Sequence, residues 1–419
     1  MGGYITRTME KMVQKTADSF PIVALYGPRQ VGKSTLLRYM YPDMRYVTLD
    51  DVAERSLAKQ NPRLFLQSNP WPVIIDEIQK APELLPEIKI TVDEQRLDWL
   101  NNDEQRQVMY FLTGSSQFEL RSAVSESLAG RVGELELSSF SYAEITGLQG
   151  KPFNPRIEAL QKAQRTLGNT ARTRMQIFED IFKGGMPDII TGVSERNIYF
   201  PSYVSTYIER DVRNLIAAGS EETFMRFMSY VAMRTAQQVN YEEIAGAVGI
   251  NGKTCRRWLS ILESSGLIFF LQPYYPNAST RIIKAPKFYF SDTGLASYLC
   301  GWPNATLLER GAMAGAMYET YVVSEIVKSF ANAGLNPSHY LYYYRDKDNK
   351  EIDVLYVVES TIFPIEIKKG ISPVKPHKNF SVLSKYNMPI MPGVVIDSTE
   401  KLRAINENVW ACPVTLIGV

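Results

Sequence analysis

The chain has 419 residues, is 45% apolar and 22% charged, and carries a net charge of +1. That length corresponds to about three domains, each able to bury its own core, and the balance excludes a globally basic protein, so any nucleic-acid contact must come from a local patch. No apolar run approaches the roughly 18 residues of a membrane span, and the amino end lacks a signal-peptide core. Cys255, Cys300 and Cys412 form no CxxC pair or disulfide framework, which fits a reducing cytoplasm. Two histidines, His339 and His377, argue against a His-based metal site.

Residues 21–35 read PIVALYGPRQVGKST, an apolar strand, a glycine-bounded loop and the start of a helix. This is GxxxxGK[ST] in the context its chemistry requires. Gly27 and Gly32 permit the tight turn, so the backbone N–H groups of Arg29, Gln30, Val31, Gly32 and Lys33 can face one phosphate. The helix behind adds its positive end. Lys33 would reach the β and γ phosphates, Ser34 would ligate Mg²⁺, and Thr35 opens the helix. The pattern implies binding of a nucleoside triphosphate.

A second strand is expected at 45–50, a helical stretch from Ala53 to Gln67 broken at Pro62, and a third strand from Trp71 ending in Asp76 and Glu77. Continuous apolar strands alternating with helices predict an α/β fold with a parallel sheet covered on both faces, its ligands at the carboxyl strand ends. There Asp76 would hold Mg²⁺ through water, and Glu77 would orient or deprotonate the attacking water. A strand at 108–112 ends in Thr113-Gly114-Ser115-Ser116, which either reaches the γ-phosphate or caps the next helix. Arg131 precedes a strand at 134–137. It reads as a transition-state arginine, acting in cis or from a neighbouring subunit, with Arg121 the competitor and a surface salt bridge the plain alternative.

GPRQVGKST, VIIDEIQKAP, FLTGSSQF, LAGRVGELEL and SFSYAEI, followed by GGMPDII and IERDV, together resemble an AAA-type P-loop ATPase family of bacteria and archaea whose C-terminal domain has long been of unknown function. The resemblance covers nearly the full length. It implies an AAA+ domain with a helical lid over 1–200, gives Lys33, Ser34, Asp76 and Glu77 their nucleotide and Mg²⁺ roles, and makes Arg131 the arginine of the LAGR signature. It also implies a lid contact from Arg210 to nucleotide, and homo-oligomeric rings or filaments with ATP sites between subunits.

Over 201–305, a short helix ending at Gly249, a second helix from Cys255 to Glu263 and two strands predict a winged helix-turn-helix. Between 253 and 290 the basic residues are Lys253, Arg256, Arg257, Arg281, Lys284 and Lys287, and Glu263 is the only acid. Lys253, Arg256 and Arg257 would enter a duplex groove while Arg281 and Lys284 meet phosphate. The alternative is a lid or protein-docking module.

Over 306–419, a helix at 315–331 places Glu319 within its apolar stripe and Glu325 on the other side. Strands at 340–345, 351–357 and 362–368 follow, with Glu366 and Lys368 sharing a face. Asp353 with Glu366-Ile367-Lys368 resembles the PD-(D/E)xK nuclease core, its first motif reading EID. The resemblance implies that Asp353 and Glu366 ligate Mg²⁺, that Lys368 polarises the scissile phosphate, and that Glu319 is an added helix acid. The whole reads as a cytoplasmic, ATP-driven enzyme acting on duplex or branched DNA in repair, recombination or defence. The second reading is an ATP-dependent assembly switch or scaffold whose silent C-terminal domain docks a protein.

Overall fold

An apolar strand buried on both faces needs helices on each side, and residues 6–139 supply them. The computed structural model describes residues 3–102, 106–114, 124, 127–168, 171–208, 212, 215–216, 219–275, 285–371 and 377–419. It divides into a smaller unit, Thr6–Ser139 with Ser264–Gly266, and a larger one, chiefly Phe140–Glu263 and Leu267–Val419.

The smaller unit starts with helix α1 (Glu10–Ser19). Five strands follow, β1 (Ile22–Tyr26), β2 (Arg45–Thr48), β3 (Val73–Asp76), β4 (Tyr110–Thr113) and β5 (Val132–Glu136), all parallel in the order β2-β3-β4-β1-β5. This is the α/β sheet expected from the apolar runs. The crossovers carry α2 (Lys33–Met40), α3 (Val52–Gln60), α4 (Pro62–Ser68) and α5 (Leu84–Asn102). The helical break falls at Pro62: the Asn61 side chain accepts from Leu64 N at 3.0 Å, and proline opens the next helix where its missing N–H has no partner to lose. Ile22, Ala24, Phe65, Ile75, Ile88 and Leu112 are all fully buried in the core between sheet and helices.

The larger unit begins with helices α6 (Tyr142–Ile145), α7 (Ile157–Leu167), α8 (Arg174–Lys183), α9 (Pro187–Ile190), α10 (Arg196–Tyr207) and α11 (Glu221–Met233). Next come β6 (Gln237–Gln238), α12 (Tyr241–Val248), α13 (Gly252–Ser264), β7 (Ile268–Leu271) and β8 (Lys287–Phe290). Gly249, at φ +81°, ends α12 in the left-handed conformation, and the three strands pair in the order β6-β8-β7. This is the expected winged helix-turn-helix arrangement with a third short strand. Helices α14 (Thr293–Leu299), α15 (Ala305–Arg310) and α16 (Ala314–Ala331) lead into β9 (Leu341–Arg345), β10 (Glu351–Val358), β11 (Thr361–Ile367), β12 (Gly393–Asp397), β13 (Arg403–Asn406) and β14 (Val409–Pro413). These six strands form one mixed sheet in the order β13-β14-β12-β11-β10-β9.

Helix α8 packs on α14, α15 and α16. The GGMPDII segment makes that joint: Gly184 has φ +74°, a Cβ there would lie 2.4 Å from Asp292 Oδ1, and Asp292 accepts from Gly185 N at 2.8 Å. The winged-helix strands are stitched to the mixed sheet. Tyr343 N donates to Gln272 O at 3.0 Å and Tyr274 N donates to Tyr343 O at 2.7 Å, and the buried hydroxyl of Thr235, ahead of β6, bonds that of Thr320 on α16 at 2.9 Å. Helix α16 is accordingly covered on both sides. Glu325 points the other way from Glu319, as expected, and is buried there, accepting from Tyr142 N at 2.7 Å and Lys328 Nζ at 3.1 Å. Among the described residues no helix is long and apolar enough to cross a membrane.

Candidate functional site

The loop between β1 and α2 is shaped by its glycines. Gly27 sits at φ +143°, where a Cβ would lie 2.1 Å from the carbonyl oxygen of Leu137, and Gly32 caps α2 at φ +93°. Lys33 is buried, and its ammonium donates to the loop's own carbonyls, Gly27 O at 2.9 Å and Pro28 O at 2.7 Å. Ser34 Oγ donates to Asp76 Oδ1 at 2.7 Å, Tyr46 OH donates to Asp76 Oδ2 at 2.8 Å, and the Thr113 hydroxyl also bonds Asp76. Thr113 thus ends β4 on the carboxylate of the neighbouring strand. The hydroxyl and carboxylate oxygens assembled here are the hard donors that Mg²⁺ takes, so Ser34 and Asp76 fit the ion expected of them. Among the described residues of this unit, Gln30 at 60° and Glu77 at 59° are the non-glycine residues that hold positive φ. Such a conformation costs about 1–3 kcal/mol and clusters at functional sites. Glu77 follows Asp76 directly, and its Oε2 accepts from Gln79 Nε2 at 2.5 Å.

Two contributors escaped sequence reasoning. Arg7 is buried and braces the loop from before α1, donating to Val31 O at 2.9 Å and Ser138 O at 2.7 Å. Tyr46 lies on β2, where nothing local marks it as an Asp76 partner. Burial, and then the Asp76 charge, push its hydroxyl up to about 12.

Arg131 stands at the other end of the sheet. The register pairs Ile22 with Val132 and Tyr26 with Glu136, so Arg131 borders the amino edge while Gly27 borders the carboxyl edge. At about 3.3 Å per residue the separation is about 20 Å, beyond the reach of an arginine side chain. A role in cis is excluded. Arg131 instead clasps Asp93 of α5, Nε to Oδ1 at 2.6 Å and Nη2 to Oδ2 at 2.8 Å, and these bonds hold the Asp93 carboxyl below its usual range. Arg121, Ser115, Ser116 and Arg210 lie outside the described residues.

In the larger unit Glu366 and Lys368 meet, as the strand periodicity predicts, and Asp353 lies beside them. Lys368 Nζ donates to Glu366 Oε1 at 2.6 Å and lies 3.9 Å from Asp353 Oδ2, which accepts from Ile367 N at 2.7 Å. Glu366 Oε2 is buried with no hydrogen-bond partner among the described residues. Burial, and then the Asp353 charge, push Glu366 up to about 8 against the pull of Lys368. Glu319 is engaged elsewhere: its Oε1 accepts from Lys287 Nζ at 2.9 Å and from Tyr289 OH at 2.9 Å. Lys287, counted in the sequence among the basic residues of the wing, is therefore turned inward. The two-residue period of β8 sends Lys287 and Tyr289 to the face packed on α16. Among the described residues no three acidic, histidine or cysteine side chains are grouped to hold one metal ion. The orphaned oxygen of Glu366 beside Asp353 fits an ion held by two carboxylates, while Glu319 Oε1 is taken up by Lys287 and Tyr289.

On α13, Lys253, Arg256 and Arg257 are exposed together, and the Arg256 guanidinium stacks 4.6 Å from the Tyr241 ring centre. Arg281 and Lys284 lie outside the described residues.

Comparison with known proteins agrees with the loop geometry. Residues 19–146 match the family described as an AAA domain, while 174–306 and 314–417 each match a different domain of unknown function. Residues 19–146 are thus similar to an AAA domain and carry the phosphate-loop pattern. Uncharacterized proteins of Mycobacterium tuberculosis and Mycobacterium bovis are each 29% identical to it over 361 residues, covering 84% of this chain and 71% of theirs. Among solved structures, a Walker-type ATPase of Pyrococcus abyssi aligns at 14% identity and a TM-score of 0.42, over 70% of this chain and 94% of that one. The AMPPCP-bound DnaA of Aquifex aeolicus aligns at 13% identity and a TM-score of 0.27, over 61% and 86%.

Gly27→Ala should weaken ATP binding at least tenfold, about 1.4 kcal/mol, because its methyl meets the backbone carbonyl of Leu137. Near-native affinity by titration calorimetry would contradict that account. For Glu366, a folded-state value near 8 lies above the unfolded value of about 4.3. Folding therefore takes up a proton across that interval, and stability falls as pH rises through it. Glu366→Gln should flatten the decline in thermal midpoint between pH 5 and pH 8; unchanged slopes would show that the carboxyl is not held protonated.

Proposed function

We propose that the chain is a Mg²⁺-dependent ATP hydrolase that binds and remodels DNA. The observation that carries the nucleotide half is the linkage of Ser34, Thr113 and Tyr46 to Asp76, beside a loop whose lysine is folded onto its own carbonyls. An incoming triphosphate replaces those carbonyls as the partner of Lys33. Ser34 and Asp76 would hold Mg²⁺, directly and through water, and the ion supplies charge neutralisation between the β and γ phosphates. Glu77 orients the attacking water. Arg131, about 20 Å from its own loop by strand geometry and paired with Asp93, would have to leave that partner to serve a neighbouring copy, a role that requires a ring or filament of identical subunits.

The DNA half rests on the exposed Lys253, Arg256 and Arg257 along the second helix of the helix-turn-helix, the element that enters a major groove in such modules. In the mixed sheet, Asp353, Glu366 and Lys368 stand as a PD-(D/E)xK-like constellation, the likeness supported by three consecutive antiparallel strands followed by a parallel one. One observation favours the second reading, a scaffold with a silent nuclease-like domain: Lys287 and Tyr289 already occupy Glu319.

ATP hydrolysis titrated with single-stranded, duplex and four-way-junction DNA separates the two. Remodelling predicts a DNA-stimulated rate that falls steeply with salt, and replacing Arg256 and Arg257 together by alanine should shallow the log–log salt slope by about two. A rate indifferent to every DNA and to salt would favour the scaffold.

A further inference from the structure

The acidic cluster of the mixed sheet contains a cation supplied by another sheet. Lys287 belongs to β8 of the winged helix, yet its side chain is only 3% exposed, and its ammonium lies 2.9 Å from Glu319 Oε1, 2.5 Å from Glu351 Oε1 and 4.0 Å from Asp353 Oδ1. An ammonium buried this deeply is tolerated only among compensating charges, since isolated burial costs several kcal/mol. Here three carboxylates on two elements surround it. A cleft of about 580 Å³ bordered by Arg234, Gln238, Asn240, Arg345, Lys287 and Glu351 leads to the place. On the other side of Asp353 the arrangement is open: Glu366 Oε2 has no hydrogen-bond partner among the described residues.

We propose that Lys287 is a built-in cation of this cluster. Its ammonium occupies the space between Glu319, Glu351 and Asp353, three carboxylates that are not grouped to hold a metal ion while it is there, so the cluster takes a single divalent ion between Asp353 and Glu366, beside Lys368. The proposal rests on reading Asp353 and Glu366 as metal ligands. Two carboxylates leave most of the coordination sphere of Mg²⁺ or Mn²⁺ to water or a phosphate oxygen, as these ions prefer. Since β8 carries the lysine, the number of ions held by the mixed sheet depends on a strand of the winged helix.

The test counts Mn²⁺ bound to the nucleotide-free full chain by electron paramagnetic resonance, with Asp353→Ala as the subtraction that removes binding elsewhere. Wild type should hold one Asp353-dependent ion and Lys287→Met two, the pair broadened by mutual spin coupling; Lys287→Arg, which keeps the charge, should stay at one. Removing the ammonium leaves carboxylates unpaired, so Lys287→Met should also gain more thermal stability from Mn²⁺ than wild type does. If Lys287→Met does not fold, Lys287→Ala combined with Glu351→Gln sheds one charge and should likewise hold two. One ion in wild type and one in the folded Lys287 variants overturns the proposal and leaves the metal reading standing. No Asp353-dependent ion in wild type overturns the metal reading, and the proposal with it.

Discussion

The hydrogen bond from Ser34 to Asp76, 2.7 Å long, is the contact on which the smaller unit's phosphate-loop region depends. It ties the first turn of α2 to the end of β3, and the same carboxylate receives Tyr46 from β2 and Thr113 from β4. One side chain thereby ties three neighbouring strands to the start of a helix. Parallel strands make this possible, because only in a parallel sheet do all the strand exits lie on one edge. The loop itself is held from outside, by Arg7 on the Val31 carbonyl and by the close approach of Leu137 to Gly27.

The larger unit obeys a similar logic with the charges arranged differently. Its acids lie on α16, β10 and β11, and two lysines divide them, Lys368 from the next strand position and Lys287 from the winged helix. Backbone bonds at Gln272, Tyr274 and Tyr343 fix β7 and β9 in register, and β7 pairs with β8. The position of Lys287 is thus set by the same pairing that joins the two sheets.

What the sequence made legible follows from the range of the forces involved. The phosphate loop, the helix break at Pro62 and the helix-turn-helix are local patterns, each specified by residues close together in the chain. The shared face of Glu366 and Lys368 follows from strand periodicity alone. Arg7, Tyr46 and Lys287 were not legible as site residues, because each meets its partner only through tertiary packing, across 24, 30 and 32 positions to Val31, Asp76 and Glu319. The burial of Glu325 was not legible for the same reason: a helix stripe shows which face is apolar but not that a second layer covers the opposite face. Arg131 carried an unread signal. It precedes its strand rather than following it, and in a parallel sheet that alone assigns it to the edge away from the loop.

The most direct measurement of the central claim is the fate of ATP on Glu77→Gln compared with wild type, followed by rapid quench with labelled γ-phosphate in the presence of Mg²⁺. If Glu77 orients water beside a triphosphate held by Lys33, Ser34 and Asp76, the variant retains intact ATP through many wild-type turnovers while wild type releases phosphate. Equal phosphate release from the two proteins, or no retained ATP on either, would contradict the account.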